Sequence, residues 1–280
     1  MKNMYVTIPD RRFFTELRDL QLPIHMESIG YNADQESIDR PDGYPCYHWI
    51  QAVNGEGELY FGGTSYTVKA GSGVLLAPRD AHGYRPISGV WETAYLTFGG
   101  PQSLAIVSTL GLSHSAYYEW DRGCELETFT SGLLGQIRSD RDLSGLDTSS
   151  DLYRFLTLLK KHGRVNNLPS LSHTVERLKP LMSFMESHYD DPNIGLEDMA
   201  DQVGVSARHL NTLFRQTFGM TAYAYFILLR IRKAKELMTL YPRMTIKEVA
   251  GQVGFRDSSH FVATFRRLED VTPEQFRNLY

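Results

Sequence analysis

A short block occurs twice near the C-terminal end of the chain. Ala200-Asp201-Gln202-Val203-Gly204 and Ala250-Gly251-Gln252-Val253-Gly254 are related by an offset of 50, and Leu196 and Ile246 precede them at that same offset. Past the glycine the offset is 51. His209 then aligns with His260, Leu210 with Phe261, Phe214 with Phe265, Arg215 with Arg266, and Thr221 with Thr272. A repeat of this length is one supersecondary unit used twice. Its residue types define the unit. A short helix stops at a glycine able to take a left-handed backbone. An apolar residue (Val205, Phe255) plugs the angle between the two helices. A Ser or Asp, namely Ser206 and either Asp257 or Ser258, caps the next helix. That helix buries Leu210 and Phe214, or Phe261 and Phe265, and leaves its other face free. This is the helix-turn-helix arrangement, whose second helix enters the DNA major groove.

The most specific stretch runs Ile246-Lys-Glu-Val-Ala-Gly-Gln-Val-Gly-Phe-Arg-Asp-Ser-Ser-His-Phe-Val-Ala-Thr-Phe-Arg-Arg267, followed by Thr272-Pro273 and Phe276-Arg277. Together with Leu196 to Phe218 and the segment Arg230-Ile-Arg-Lys-Ala234, it resembles the AraC family of bacterial regulators over about residues 174–280. In the first unit Leu210, Leu213 and Phe214 mark the buried side, so Arg208, Asn211, Thr212 and Arg215 lie opposite, with the capping Ser206 at their head. The resemblance also places base recognition at 208, 211 and 212. Arg suits guanine and Asn suits adenine, each bidentately, and Arg215 suits phosphate. The equivalent surface of the second unit is Ser258, Ser259, Val262 and Ala263, flanked by Arg256 and Arg266. Val262 or Ala263 is suited to a thymine methyl, and the two arginines to the backbone. The first unit is therefore expected to discriminate bases and the second to anchor. A linker helix over Tyr223 to Leu240 joins them, which implies two groove contacts about one turn apart on bent or bendable DNA.

Charge alone does not point to nucleic acid, because the net is -4. Residues 173–280 carry 14 Lys+Arg against 13 Asp+Glu, and the remainder is acidic. Between Arg208 and Lys235, however, lie Arg208, Arg215, Arg230, Arg232, Lys233 and Lys235 and no acidic residue. A charge run on its own reads as a solvated helix face, and it is the repeat that favours DNA.

With 280 residues, two domains are expected. Short apolar runs at Tyr47–Val53, Glu58–Phe61, Ser65–Val68 and Gly73–Ala77 alternate with Gly-rich turns up to about residue 100, which suggests a small barrel or sandwich. Beyond about 101 the pattern is helical, with amphipathic helices expected over Glu125–Arg138 and Ser149–Lys161. Leu152, Phe155, Leu156 and Leu159 form a stripe on the second, open to reading as core or as a dimer seam. The expected division is a sensing and dimerisation domain at 1–165, a linker at 166–172 and a DNA-binding domain at 173–280. The fold class is α+β, with the resemblance implying a cupin-like β-barrel plus helical hairpin before an all-α domain with two helix-turn-helix units.

Larger members of the family carry such a barrel as a small-molecule sensor. Gly55-Glu-Gly-Glu-Leu59, Tyr66-Thr-Val-Lys-Ala-Gly71 and Pro78-Arg-Asp-Ala-His82 fall in the expected order. Ile38-Asp-Arg-Pro-Asp-Gly43 is similar to a family segment whose arginine contacts a sugar. The resemblance thus offers Arg40, His82, Tyr84, Trp91, Thr93 and Tyr95 as effector-binding residues. An aromatic platform beside a guanidinium suits a sugar or another polar small molecule. Trp91 and Tyr95 read equally as core, Arg40 as a loop anchor, and His82 as a structural hydrogen-bonding residue. A metal-dependent cupin enzyme would need two or three His and a Glu converging on one ion. Only His48 and His82 are available, with no His-x-His pair, so no metal, cofactor or catalytic residue is expected. A barrel serving only to dimerise is the remaining alternative. Expected partners are double-stranded DNA, an effector of sugar type, a second copy of the chain and RNA polymerase. No run of eighteen apolar residues, no signal segment and only Cys46 and Cys124 make the chain read as a cytoplasmic protein without a disulfide framework.

Overall fold

The computed structural model describes residues 10–14, 22–87, 89–137, 145–166 and 168–279. Its contacts divide the chain into two compact units, Met1–Ser172 and His173–Tyr280.

The first unit is built on two antiparallel sheets. The six-stranded one orders β1 (Asp10–Phe13), β2 (His25–Asn32), β9 (Glu92–Gly99), β4 (Tyr47–Asn54), β7 (Ser72–Leu76) and β10 (Ala116–Glu119). The four-stranded one orders β3 (Ile38–Arg40), β8 (His82–Pro86), β5 (Glu56–Phe61) and β6 (Thr64–Lys69). The four runs expected as strands are β4 to β7. Turn glycines between them take positive φ: Gly55 at 67°, Gly62 at 57°, Gly63 at 76° and Gly71 at 91°, conformations that a side chain disfavours.

β4 is buried along six successive residues because both of its faces are covered. Ile50 and Ala52 point between the sheets, joining Leu59, Val68, Val74, Tyr84, Trp91 and Tyr95. Tyr47 and Trp49 point the other way, into a second core under α2 (Glu125–Ile137) and α3 (Leu146–His162). This alternation follows from the two-residue period of a strand. Leu152, Phe155, Leu156 and Leu159 of α3 are all fully buried in that second core. The stripe is therefore core packing, with Trp49 and Phe155 ring centroids 5.4 Å apart. A short helix α1 (Ser103–Thr109) precedes β10. β10 departs from the purely helical pattern expected beyond residue 101. It exists by pairing with β7, some forty residues earlier in sequence.

The second unit is all helical: α4 (Leu171–Ser187), α5 (Leu196–Asp201), α6 (Ala207–Phe218), α7 (Ala222–Leu240), α8 (Ile246–Gln252), α9 (Ser258–Glu269) and α10 (Pro273–Arg277). Two cores fill it. α4, α5, α6 and the first half of α7 enclose Leu181, Met199, Leu210, Phe214 and Phe226. The second half of α7 with α8, α9 and α10 encloses Ile231, Met238, Val249, Phe261, Phe265 and Phe276. α7 thus contributes to both and joins them. The repeat is visible in backbone detail. Gly204 and Gly254 have φ of 63° and 77°. Ser206, Thr221, Asp257 and Thr272 each cap a helix by accepting from the backbone N–H three residues on. Gly219 and Asp270, also 51 apart, close α6 and α9 in the left-handed conformation.

Candidate nucleic-acid interface and effector cavity

On α6, Leu210 and Phe214 are buried, while Arg208, Thr212 and Arg215 are exposed. Spacing of four and three residues puts these three on one side of the helix. The Thr212 hydroxyl donates to the Arg208 carbonyl at 3.1 Å. Asn211 is half-buried, and its Oδ1 accepts from the Ala222 backbone N–H at 3.1 Å. Bidentate pairing with adenine uses both amide atoms, and here one of them already tethers the start of α7. Ser206 spends its oxygen on the His209 N–H as the helix cap.

On α9 the corresponding surface is an open groove lined by Ile246, Lys247, Ser258, Ser259, Val262, Ala263, Arg266, Arg267 and Thr272. Ser259, Ala263 and Arg266 are exposed, and Ser258 and Val262 half-buried. Asp257 rather than Ser258 is the cap, accepting from His260 N–H at 2.7 Å. Arg256 donates to Asn193 Oδ1 at 2.6 Å.

The six-cation run separates into two groups. Arg230 is buried, its guanidinium 4.3 Å from the Phe226 ring and donating to the carbonyls of Tyr189 and Asp191 at 2.8 and 2.6 Å. Arg232 pairs with Glu186, Lys233 with Glu186 and Glu236, and Lys235 with Glu269. Arg208 and Arg215 have no ion pair among the described residues, and neither do Lys247, Arg266 and Arg267. Of the run, Arg208 and Arg215 are therefore the cations open to a polyanion, and Lys247, Arg266 and Arg267 at the start of α8 and on α9 are likewise exposed. The sequence reading missed Lys247 and Arg267.

The first unit holds a cavity of about 870 Å³ between its sheets. Of the residues expected to meet an effector, Arg40, Tyr84 and Tyr95 line it. His82 stands directly behind, its Nε2 3.4 Å from Arg40 Nη1. Trp91 is fully buried in the core between the sheets, edge-on to Tyr84, with the Gly57 backbone packed on its ring. Thr93 is fully buried and donates to Gln35 Oε1 at 2.8 Å, so it acts on the cavity through a lining residue. Arg11, Phe13, Tyr44, His48, Asn32 and Gln35 line the cavity without having been singled out as effector contacts. Gly30 leaves the room for Tyr95, since a Cβ there would lie 2.5 Å from Tyr95 Oη.

Arg40 organises the cavity's inner end. Its guanidinium lies 5.0 Å from the Tyr44 ring and 6.0 Å from that of Tyr84. Nη1 faces His48 Nδ1 and His82 Nε2, each at 3.4 Å. Burial, followed by the charge of Arg40, holds His48 well below the ordinary histidine range. Burial also lowers His82, against the opposing pull of its bond to the Asp80 carbonyl. That carbonyl can only accept, so His82 Nδ1 carries the hydrogen and Nε2 offers its lone pair to Arg40. Both imidazoles thus face a fixed cation, and no group of three His, Cys, Asp or Glu suited to a metal occurs among the described residues.

A barrel with a cavity between its sheets, followed in sequence by paired DNA-type helices, is the arrangement of a ligand-binding transcription regulator. Residues 24–156 match the AraC-like ligand binding domain and residues 199–279 the helix-turn-helix domain family. The chain belongs to the AraC family of DNA-binding transcription regulators. It is 25% identical over 261 residues to the HTH-type transcriptional activator RhaS of Escherichia coli O1:K1 / APEC, covering 89% of this chain and 92% of the relative. RhaS of Escherichia coli O9:H4 (strain HS) is 26% identical over the same shares. An AraC-type transcriptional regulator structure from Chromobacterium violaceum is 30% identical, covering 38% of this chain and 94% of that one, with a TM-score of 0.36. Among the described residues no helix is long and apolar enough to cross a membrane.

Proposed function

We propose that this chain is a cytoplasmic, effector-controlled activator that reads DNA with both helix pairs of its second unit, α5–α6 and α8–α9, and senses a hydroxylated small molecule in its barrel. The observation that carries the DNA reading is the partition of cations. Arg208 and Arg215 on α6, and Lys247, Arg266 and Arg267 around α9, are without acidic partners among the described residues, whereas Arg232, Lys233 and Lys235 are paired. Arg208 and Thr212 read bases, and Arg215 holds phosphate. Asn211 contributes mainly by fixing α6 to α7. On α9, Ser258, Ser259 and Val262 approach the groove, while Arg256 and Arg266 hold the backbone. Ser206 keeps the start of α6 in place.

Support for an effector comes from the cavity between the sheets, with Arg40, Tyr84 and Tyr95 on its wall and His82, Thr93 and Trp91 behind them. The activator reading follows from the relatives, which are transcriptional activators. Working as a homodimer on two half-sites, and engaging RNA polymerase when bound, belong to this reading. The exposed Leu146 and Tyr153 on α3 supply apolar surface for self-association. The domain division at 1–165, 166–172 and 173–280 belongs to it as well. Thermal unfolding of the full chain against a broad panel of sugars and other polar metabolites tests the sensor half. At least one compound should raise the unfolding temperature saturably. Stability unchanged across the panel would favour a barrel that only dimerises.

A further inference from the structure

The effector cavity is charged unevenly. Asp34 and Glu36 sit at its exposed rim, whereas Arg40 is half-buried farther in. Around Arg40 everything is neutral or aromatic: His48, His82, Tyr44 and Tyr84. The nearby carboxylates lie beyond ion-pair distance of Arg40 and accept from hydroxyls instead. Glu27 accepts from Tyr44 at 3.0 Å and from Thr97, and Asp39 accepts from Tyr60. Neither Arg40 nor Arg11 has an ion pair among the described residues. A partly buried charge without a counter-charge is unfavourable. This one is also preorganised, clamped by two imidazoles and two phenol rings. No carboxylate lies within ion-pair distance of it among the described residues, so the ligand is the natural place for its partner.

The remaining wall is a hydroxyl-binding surface. Tyr95 Oη is buried and meets no hydrogen-bond geometry among the described residues, and the Arg11 guanidinium lies 5.3 Å from the Tyr95 ring. The amides of Asn32 and Gln35 stand together, Asn32 Nδ2 donating to Gln35 Oε1 at 2.6 Å. We propose that the effector is a polyhydroxylated carboxylate, a sugar acid, whose carboxylate pairs with Arg40 and whose hydroxyls meet Tyr95, Asn32 and Gln35. This rests on the reading of the cavity as the effector site. A neutral sugar would satisfy the hydroxyl partners and leave the guanidinium uncompensated. Charge-assisted hydrogen bonds are roughly twice as strong as neutral ones. The opposing field of Asp34 and Glu36 is weak because both are exposed and screened by solvent and salt.

Calorimetric titration of the full chain with D-galacturonate, D-glucuronate and D-gluconate, each against D-galactose and D-glucose, tests this. At least one acid should bind saturably, and its neutral counterpart should bind about tenfold or more weakly. Arg40→Gln should abolish that preference, and Arg40→Lys should retain part of it. Thermal unfolding of each ligand-free variant checks its folding. If Arg40→Gln does not fold, the acid-to-neutral ratio of the unaltered chain and of Arg40→Lys decides. A neutral sugar binding as tightly as its acid overturns the proposal and leaves the effector reading standing. So does a preference that survives Arg40→Gln. Failure of all three acids also overturns it, and the broader metabolite panel then judges the effector reading separately.

Discussion

Arg208 and Asn211 lie one turn apart on α6 but in different surroundings, the first exposed and the second half-buried. Arg208 is exposed and without an ion pair among the described residues, and it is suited to guanine. Arg208→Ala should weaken binding to the cognate site by roughly 1–3 kcal/mol and relax the preference at one base pair. Competition binding against single-base variants of the site measures this, and an unchanged base preference would show that this face does not read DNA. Asn211 has its carbonyl committed to Ala222 N–H. Asn211→Ala should therefore lower stability by about 1 kcal/mol and weaken binding evenly across sequences, as chemical denaturation and the same competition series would show. This distinction was invisible in the sequence, since helical periodicity assigns Asn211 to the outer face and says nothing of a contact made eleven residues away. The basic run misled for a similar reason. Arg230, Arg232, Lys233 and Lys235 find partners at Tyr189, Asp191, Glu186, Glu236 and Glu269 that only the fold brings close. In the barrel, His48 is neutral because burial and Arg40 lower its pKa. A histidine whose folded pKa is depressed contributes stability that is present above its ordinary pKa near 6.5 and lost as pH falls below it. The chain should lose stability more steeply below that pH than His48→Asn does, by at most about 1.4 kcal/mol per pH unit for the one proton. Parallel slopes in thermal unfolding across that range would contradict it.

Elements were read well wherever a local signal set their ends. β4 to β7 are delimited by glycines that take positive φ, and α6, α7, α9 and α10 by Ser206, Thr221, Asp257 and Thr272 at their caps. β10 was missed because its only reason to be extended is β7, a partner that no local pattern announces. The cavity-lining residues on β1 and β2 were missed likewise, being assembled by strand pairing rather than by a motif. The two turn glycines look equivalent in the repeat but are not in space. A Cβ at Gly204 meets nothing within 4 Å, whereas at Gly254 it would lie 2.5 Å from the Tyr189 carbonyl and 2.9 Å from the Arg230 guanidinium. Gly204→Ala should cost about 1 kcal/mol, the strain of the left-handed backbone alone. Gly254→Ala adds overlap with that buried packing and should cost about 3 kcal/mol or more. Equilibrium unfolding of the two variants side by side checks the difference, and equal losses would mean that the second turn is not held against Arg230.

For the whole molecule, an AraC-like ligand-binding domain is followed by a helical domain in which α7 belongs to two cores at once. A helix shared by both cores fixes the separation and angle of α6 and α9, so both recognition helices should address one DNA face. The proposal of an unequal pair, a base-reading α6 and an anchoring α9, rests on the repeat, which displays Arg208 and Thr212 in one copy and Ser259 and Ala263 in the other. The most direct measurement is selection of binding sites from random duplex DNA by the full chain, followed by sequencing. Two conserved segments about 10 base pairs apart are expected, the more strongly conserved one losing a specified base when Arg208→Ala is used for the selection. A single short segment, or a pair left unchanged by that substitution, would contradict the reading.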